Sequence, residues 1–344
     1  MKAAPLLLAA ALLAGFVAAA EAAGDSAAEL TLRADSRQTN THSPLAAWAP
    51  PSGSLQVLAE LRHTQRLPAG LALVGNVLLG HGWQRAAADD DSSRVNELHA
   101  SADLGAWQLS AGRKVLGWDV AYAFRPNDVV QQETRLQQFG QTPQGRALLM
   151  AEHFGADDAW SLVLANPQHL GDGGARAQGG DEAALALRAY RRIGALDLHG
   201  FARHGRLVGA SVGTALSWVA TDELELHAST RLQAHTHQTL LGLQWTGGTQ
   251  ISVLAEAWFD GTASGAARRN LYLRLAWQPE GWTLAADLLA TPTDRGRAAG
   301  ASVQWRGDRW RLEASVRQFG GPRGARLAQS PTRRSLVLAA SLGF

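Results

Sequence analysis

The residues of this chain that could do chemistry recur at a spacing of two. Glu223, Glu225, His227 and Arg231 share one parity, as do Arg311, Glu313 and Arg317, and Glu60 with Arg62. The same parity of other segments carries His99, Asp103, Lys114, Arg188, Asp197, His199, Arg203, Glu256, Arg274, Asp287 and Arg306. Guanidinium and ammonium groups attract anions, and carboxylates attract cations. Such a set is either the solvated, cross-paired lining of a water-filled interior or a selective path through one. Other chemistry finds little support. His235 and His237 face the same way on a strand, and His199 and His204 are near each other, but no third ligand lies close in sequence to complete a metal site. No G-x-S-x-G nucleophile elbow occurs, and His153 with Ser211 makes no convincing catalytic pair. Gly247-Gly248-Thr249 reads as a turn, not a phosphate loop. Neither enzyme activity, a cofactor nor a bound metal is expected.

The elements that position these residues are strands. In 55–62, Leu55, Val57, Ala59 and Leu61 alternate with Gln56, Glu60 and Arg62; Leu224 to Leu232 and Trp310 to Val316 repeat the pattern. Side chains on a strand point alternately to its two faces, so each segment is apolar on one side and polar on the other. Continued along the chain, the pattern gives 18 strands: 29–37, 53–64, 70–83, 92–104, 106–117, 146–155, 159–166, 181–190, 195–204, 206–219, 223–234, 237–246, 249–259, 268–278, 281–291, 297–306, 309–318 and 332–344. All 12 prolines fall outside them, as expected of a residue that cannot donate to a ladder.

Composition narrows the class. The chain is 46% hydrophobic, with 12 Trp and 36 Gly, yet after residue 23 no apolar run is long enough for a membrane helix. A lipid-spanning chain without helices must close its sheet, because hydrocarbon cannot satisfy an edge. Net charge is +2, and basic residues do not gather on one face, which excludes a nucleic-acid binder. There is no cysteine. Lys2, the apolar run Leu6 to Val17 and the Ala20-Glu21-Ala22 site make residues 1–22 a secretory signal peptide. Residues 23–344 are then one domain, an all-β up-and-down antiparallel barrel of the outer membrane.

Two further patterns agree. Links after odd strands include the long ones, 38–52, 84–91, 118–145, 167–180, 260–267 and 319–331. Links after even strands are short, which is the rule for outer-membrane barrels with short periplasmic turns. Trp107, Trp160, Trp282 and Trp310 open strands, while Trp218, Trp245, Trp277 and Trp305 close them. All eight therefore lie at the short-turn end with apolar parity, as a membrane-interface girdle would. The expected partners of this outer face are outer-membrane lipid and lipopolysaccharide.

The last strand, with Leu336, Leu338, Ala340, Leu342 and terminal Phe344 on one parity, resembles the terminal signal of Gram-negative outer-membrane proteins. That resemblance implies recognition by the barrel assembly machinery. The segment Gly112-Arg113-Lys114, Trp118, then Tyr122 to Asp128 resembles a pattern found at the same place in porin-like families, including alginate-export-like barrels. Asp119 departs from it. The resemblance implies a channel for passive passage or export of a polar, possibly anionic, solute or polysaccharide. The alternative class is a non-transport barrel: a scaffold, an adhesin or an assembly partner. Residues 118–145 lack alternation and carry Trp118, Tyr122, Phe124, Arg125, Asp128, Glu133 and Arg135, which points to a loop folded inward to constrict the pore, the alternative being an ordinary external loop. The expected pore lining is Arg62, Lys114, Arg125, Asp128, Arg188, Arg203, Arg231, Glu256, Arg274, Asp287 and Arg317. Arg113 has the outward parity, and either reaches the outer interface or is re-aimed by a bulge.

Overall fold

In a computed structural model of the chain, the described residues are 24–132, 136–170, 181–248 and 250–344. They form one 18-stranded antiparallel sheet in which every strand pairs with its sequence neighbours and the first pairs with the last. The strands are β1 (Gly24–Thr39), β2 (Gly53–Leu67), β3 (Leu71–Gln84), β4 (Asp90–Leu104), β5 (Trp107–Lys114), β6 (Arg146–Phe154), β7 (Asp158–Ala165), β8 (Ala184–Ile193) and β9 (Leu196–Gly205). They continue as β10 (Gly209–Val219), β11 (Leu224–Gln233), β12 (Thr236–Gly247), β13 (Ile251–Asp260), β14 (Arg269–Trp277), β15 (Trp282–Thr291), β16 (Gly296–Arg306), β17 (Trp310–Gly320) and β18 (Thr332–Gly343). Closure joins the first strand to the last, so the sheet has no free edge strand to set against lipid. The expected signal peptide, 1–22, lies outside the described residues.

Alternation decides which face each side chain takes. Arg274 pairs in register with Asp287 on the inner face, and Leu273 pairs with Leu288 on the outer. Outer leucines are open to the surroundings, Leu98 by 64% and Leu241 by 63%, whereas inner Thr31, Ser335 and Ser341 are buried. An exterior this apolar suits hydrocarbon and not water. The eight tryptophans lie within three residues of the short-turn strand ends, and Trp282 pairs directly with Trp305. Phe344 completes closure: its N–H donates to the Ala28 carbonyl at 2.9 Å and its carbonyl accepts from Ala28 at 3.3 Å.

Several strand bounds shift from the sequence expectation, β8 for example to Ala184–Ile193 from 181–190, and two of the shifts have a direct physical reason. β1 begins at Gly24, because it pairs in register with β2 back to Gln65. β5 ends at Lys114, not residue 117, because Glu97 Oε1 takes the Val115 N–H at 3.1 Å and Gln131 Oε1 takes that of Leu116 at 3.3 Å. Side chains thus replace the ladder there, and the chain turns into the barrel. Arg113 keeps its outward parity opposite exposed Leu98, and its Nη1 donates to the Gly145 carbonyl at 2.8 Å. The nearby bulge is in the β3–β4 pairing at Asn76/Val77, so it does not re-aim Arg113.

Candidate functional site: a loop across the lumen

The segment between β5 and β6 first builds a rigid knot from its own polar groups. Asp128 Oδ1 accepts the N–H groups of Trp118 and Asp119 at 2.8 and 2.9 Å. Arg125 donates through Nε to Asp128 Oδ2 at 2.6 Å and through Nη1 to the Ala121 carbonyl at 2.8 Å. The Arg125 and Asp128 side chains are 4% and 0% exposed. This corrects the expectation that they line the pore. Their charges face each other, and they shape the loop instead of the field in the water path.

The knot is anchored on both sides. Trp118, Val129 and Val130 pack into an apolar cluster with Leu148, Met150, Val163 and Phe201 on the inner wall of β6, β7 and β9. Glu256 on β13 accepts the N–H groups of Tyr122 and Ala123, each at 2.7 Å, and lies 3.0 Å from His227 Nε2. Asn127, fully buried, donates to Ser229 Oγ at 2.8 Å and to the Thr214 and Thr230 carbonyls at 3.1 Å each. Ser229 Oγ in turn donates to Asp119 Oδ2 at 2.8 Å. Burial raises the Asp119 pKa above the ordinary carboxylate value, against the hydrogen bonds from Asn127, Ser229 and Ala121. Aromatic stacking of Tyr122 on Tyr272 and Phe124 on Trp258 completes the seat on β13 and β14.

The returning limb crosses to the other wall. Gln138 Nε2 donates to the Ser335 carbonyl at 3.3 Å, and Arg317 donates to the Leu136 carbonyl. Thr142 Oγ1 donates to Glu60 Oε1 at 2.7 Å, and its carbonyl accepts from Arg94 at 2.9 Å. Phe139 packs with Leu58, Leu78, Val337 and Ala339, under the Arg33 guanidinium 5.0 Å from its ring centre. The loop therefore touches β6, β7, β9–β11, β13 and β14 with one limb and β1–β4, β17 and β18 with the other.

Two cavities lie against β1 and its neighbours. A cavity of about 810 Å³ reaches the short-turn rim at Asp308 and Arg309, with Glu29, Arg62 and Arg311 on its wall. A second, of about 390 Å³, lies toward the long-loop rim with Arg33, Arg37 and Arg317. Phe139 and Gln141 line both. The loop tip is thus the partition between two arginine-bearing cavities.

The remaining expected lining residues all take the inner face. Arg62 is the most open, 54% exposed and 3.6 Å from Glu60. Lys114 lies 3.9 Å from Glu152, Arg188 3.3 Å from His199 Nδ1, and Asp287 3.3 Å from Arg317. Arg274 sits 5.9 Å over the Tyr122 ring. Three others are pore-lining only in parity. Glu256, with its side chain 0% exposed, holds the loop backbone, and Arg231 donates to the Pro126 carbonyl at 3.3 Å. Arg203 is buried against Glu182 at 2.9 Å. Glu133 and Arg135 lie outside the described residues. Sequence reasoning missed Arg33, Arg37, Arg94 and Arg309; for the first two the signal was present, since Glu29, Thr31, Arg33, Asp35 and Arg37 alternate along β1.

The architecture is that of the bacterial porins: a closed antiparallel barrel with consecutive strand pairing. An engineered variant of the Rhodopseudomonas blastica porin matches with a TM-score of 0.51 at 12% identity, over 93% of this chain and all of that one. Acinetobacter baumannii OccAB3 matches with a TM-score of 0.59 at 10% identity, over 93% of this chain and 99% of that one. No protein-family model and no curated protein matches the sequence. The shared property is the fold.

Proposed function

We propose that the chain is an outer-membrane channel through which small polar solutes, anions preferentially, pass beside the loop tip at Phe139. The short-turn rim, with its tryptophan girdle, faces the periplasm, and the long loops face outward. The observation that carries this reading is the pair of cavities on the β1 side, with the loop tip between them: Arg33, Arg37 and Arg317 outnumber Asp35 above, while Arg62, Arg309 and Arg311 are matched by Glu29, Glu60 and Asp308 below. Barrels of 16 to 18 strands leave an aqueous channel unless a segment fills them. Here the loop fills the β6–β14 side and narrows the rest. The excess of guanidinium over carboxylate lies in the upper cavity, and at a narrow, low-dielectric passage such an excess favours anions over cations.

Planar-bilayer recording tests this directly. The purified barrel is expected to conduct, and to pass chloride more readily than potassium under a salt gradient. A barrel that folds but stays silent returns the protein to the non-transport class of scaffold, adhesin or assembly partner. Lipopolysaccharide around the outer rim and the assembly machinery acting on the Phe344 strand are the partners this reading proposes. Export of an anionic polysaccharide is a special case, tested by whether an added polyuronate blocks the current from one side only.

A further inference from the structure

A row of small side chains crosses the outer face of the barrel in strict register. Trp160 pairs with Ala189, Ala189 with Gly200, Gly200 with Thr214, Thr214 with Thr230, and Thr230 with Thr239. The next partner is the bulky Phe259. Five small residues in succession thus lie between two aromatic stops. Leucines 198, 216 and 241 flank the row, and together they enclose a furrow of about 750 Å³. Its floor has little free polarity: Thr230 Oγ1 donates to the Gln238 carbonyl at 3.0 Å and lies 3.1 Å from Thr239 Oγ1.

The furrow has a direction. Trp160 is two residues from the short-turn end of β7, and Thr239 is eight from that end of β12. From Trp160 to Thr239 there are five interstrand steps of about 4.8 Å, about 24 Å in all. With strands tilted about 45°, the row climbs about 17 Å, close to one leaflet of a hydrocarbon core about 30 Å thick. Its mouth is charged. Asp158 and Arg191 pair in register one row beyond Trp160 on the same outward parity, and Arg191 is exposed. A carboxylate and a guanidinium at interface depth, beside an indole, complement a headgroup with one ammonium and one phosphate. A helix about 10–12 Å across is too thick for a furrow one residue row wide, and the convex wall of a second barrel cannot enter it.

We infer that this furrow is a binding site for one zwitterionic phospholipid of the short-turn leaflet, with an acyl chain along Ala189–Gly200–Thr214–Thr230, the phosphate at Arg191 and the ammonium at Asp158. The inference requires the barrel to sit in a bilayer with that rim toward a phospholipid leaflet; it does not depend on conduction.

The test is native mass spectrometry of the full barrel released from nanodiscs of equal phosphatidylethanolamine and phosphatidylglycerol. The parent protein is expected to retain one phosphatidylethanolamine. Gly200→Leu fills the furrow, and a Cβ there meets no wall atom within 4 Å, so the barrel should still fold, migrating on an unheated gel as the parent does, while retaining at least tenfold less lipid. Thr214→Leu provides a second filling variant, and Arg191→Gln should also lower retention. A bare parent, equal retention of both lipids, or undiminished retention in a folded filled variant overturns the inference. So does a change of oligomeric mass in Gly200→Leu without loss of lipid, which would make the furrow a contact between copies.

Discussion

Glu256 on β13 accepts the backbone N–H of Tyr122 at 2.7 Å, joining residues 134 positions apart in the chain. The same carboxylate takes the Ala123 N–H, so a single acid on the far wall seats the inward loop. Hydrogen bonds to a buried charged acceptor contribute about 1.5–3 kcal/mol each. Glu256→Ala leaves both donors unsatisfied, and the expected result is a barrel that migrates on an unheated gel as the parent does but has an open current that is larger and noisier. A quiet, parent-like current would show that the other anchors hold the loop by themselves.

Arg125 offers a contrast between a scaffold charge and a pathway charge. Arg125→Glu would add a third buried carboxylate to Asp119 and Asp128, and breaking a buried pair typically costs about 3–5 kcal/mol. The expected phenotype is loosening of residues 115–132, seen as new protease cleavage there in the folded barrel. A clean shift of ion selectivity with no change in cleavage would put Arg125 in the water path after all.

How much of this was legible in the sequence follows from where alternation is clean. Strands such as β11 and β17, with leucines against charges, declare both faces, and the parity of the lumen residues and girdle tryptophans follows. In β6, by contrast, Ala147-Leu148-Leu149-Met150-Ala151 is apolar on both faces, so nothing marks Leu148 and Met150 as an inner seat for Trp118. The loop's role was suggested by its aromatics and lack of period, but its charges were assigned to the pore. No sequence pattern tells that Arg125 and Asp128, three apart, satisfy each other, or that Glu256 spends its charge on backbone N–H groups. Those facts depend on the far wall, which only barrel closure brings near.

At the partition itself, Phe139→Ala should raise single-channel conductance, since it removes the ring shared by both cavities. Arg33→Glu and Arg62→Glu should each move the reversal potential in a salt gradient toward cation preference, more at low ionic strength, where screening is weaker. Unchanged conductance in Phe139→Ala together with unchanged selectivity would place the path elsewhere.

Glu182, outside the strands, carries a pH prediction. Burial opposes its charge, but the Leu207 and Val208 N–H groups and the Arg203 guanidinium hold its pKa below the ordinary value. Because folding lowers this pKa, the stabilisation is present above the unfolded carboxyl range near about 4.3 and is lost as pH falls through the lower folded value. Acidification through that window should therefore free the segment before β8, as should Glu182→Gln at neutral pH, both read as faster proteolysis between β7 and β8. If cleavage in Glu182→Gln is as slow as in the parent, the tie does not hold that segment.

The orientation is open to chemical labelling. Gly324, in the link between β17 and β18, and Gly248, in the turn between β12 and β13, are at opposite rims, and a Cβ at either meets no atom within 4 Å. Gly324→Cys should therefore react on intact cells with a membrane-impermeant maleimide, while Gly248→Cys should react only after the outer membrane is opened. The chain has no cysteine of its own to confuse the signal. Parity ties the two positions together, because consecutive antiparallel strands force every odd-to-even link to one rim. The reverse labelling would invert the whole barrel, put the tryptophan girdle at the cell surface and move the phospholipid furrow's mouth to the outer leaflet.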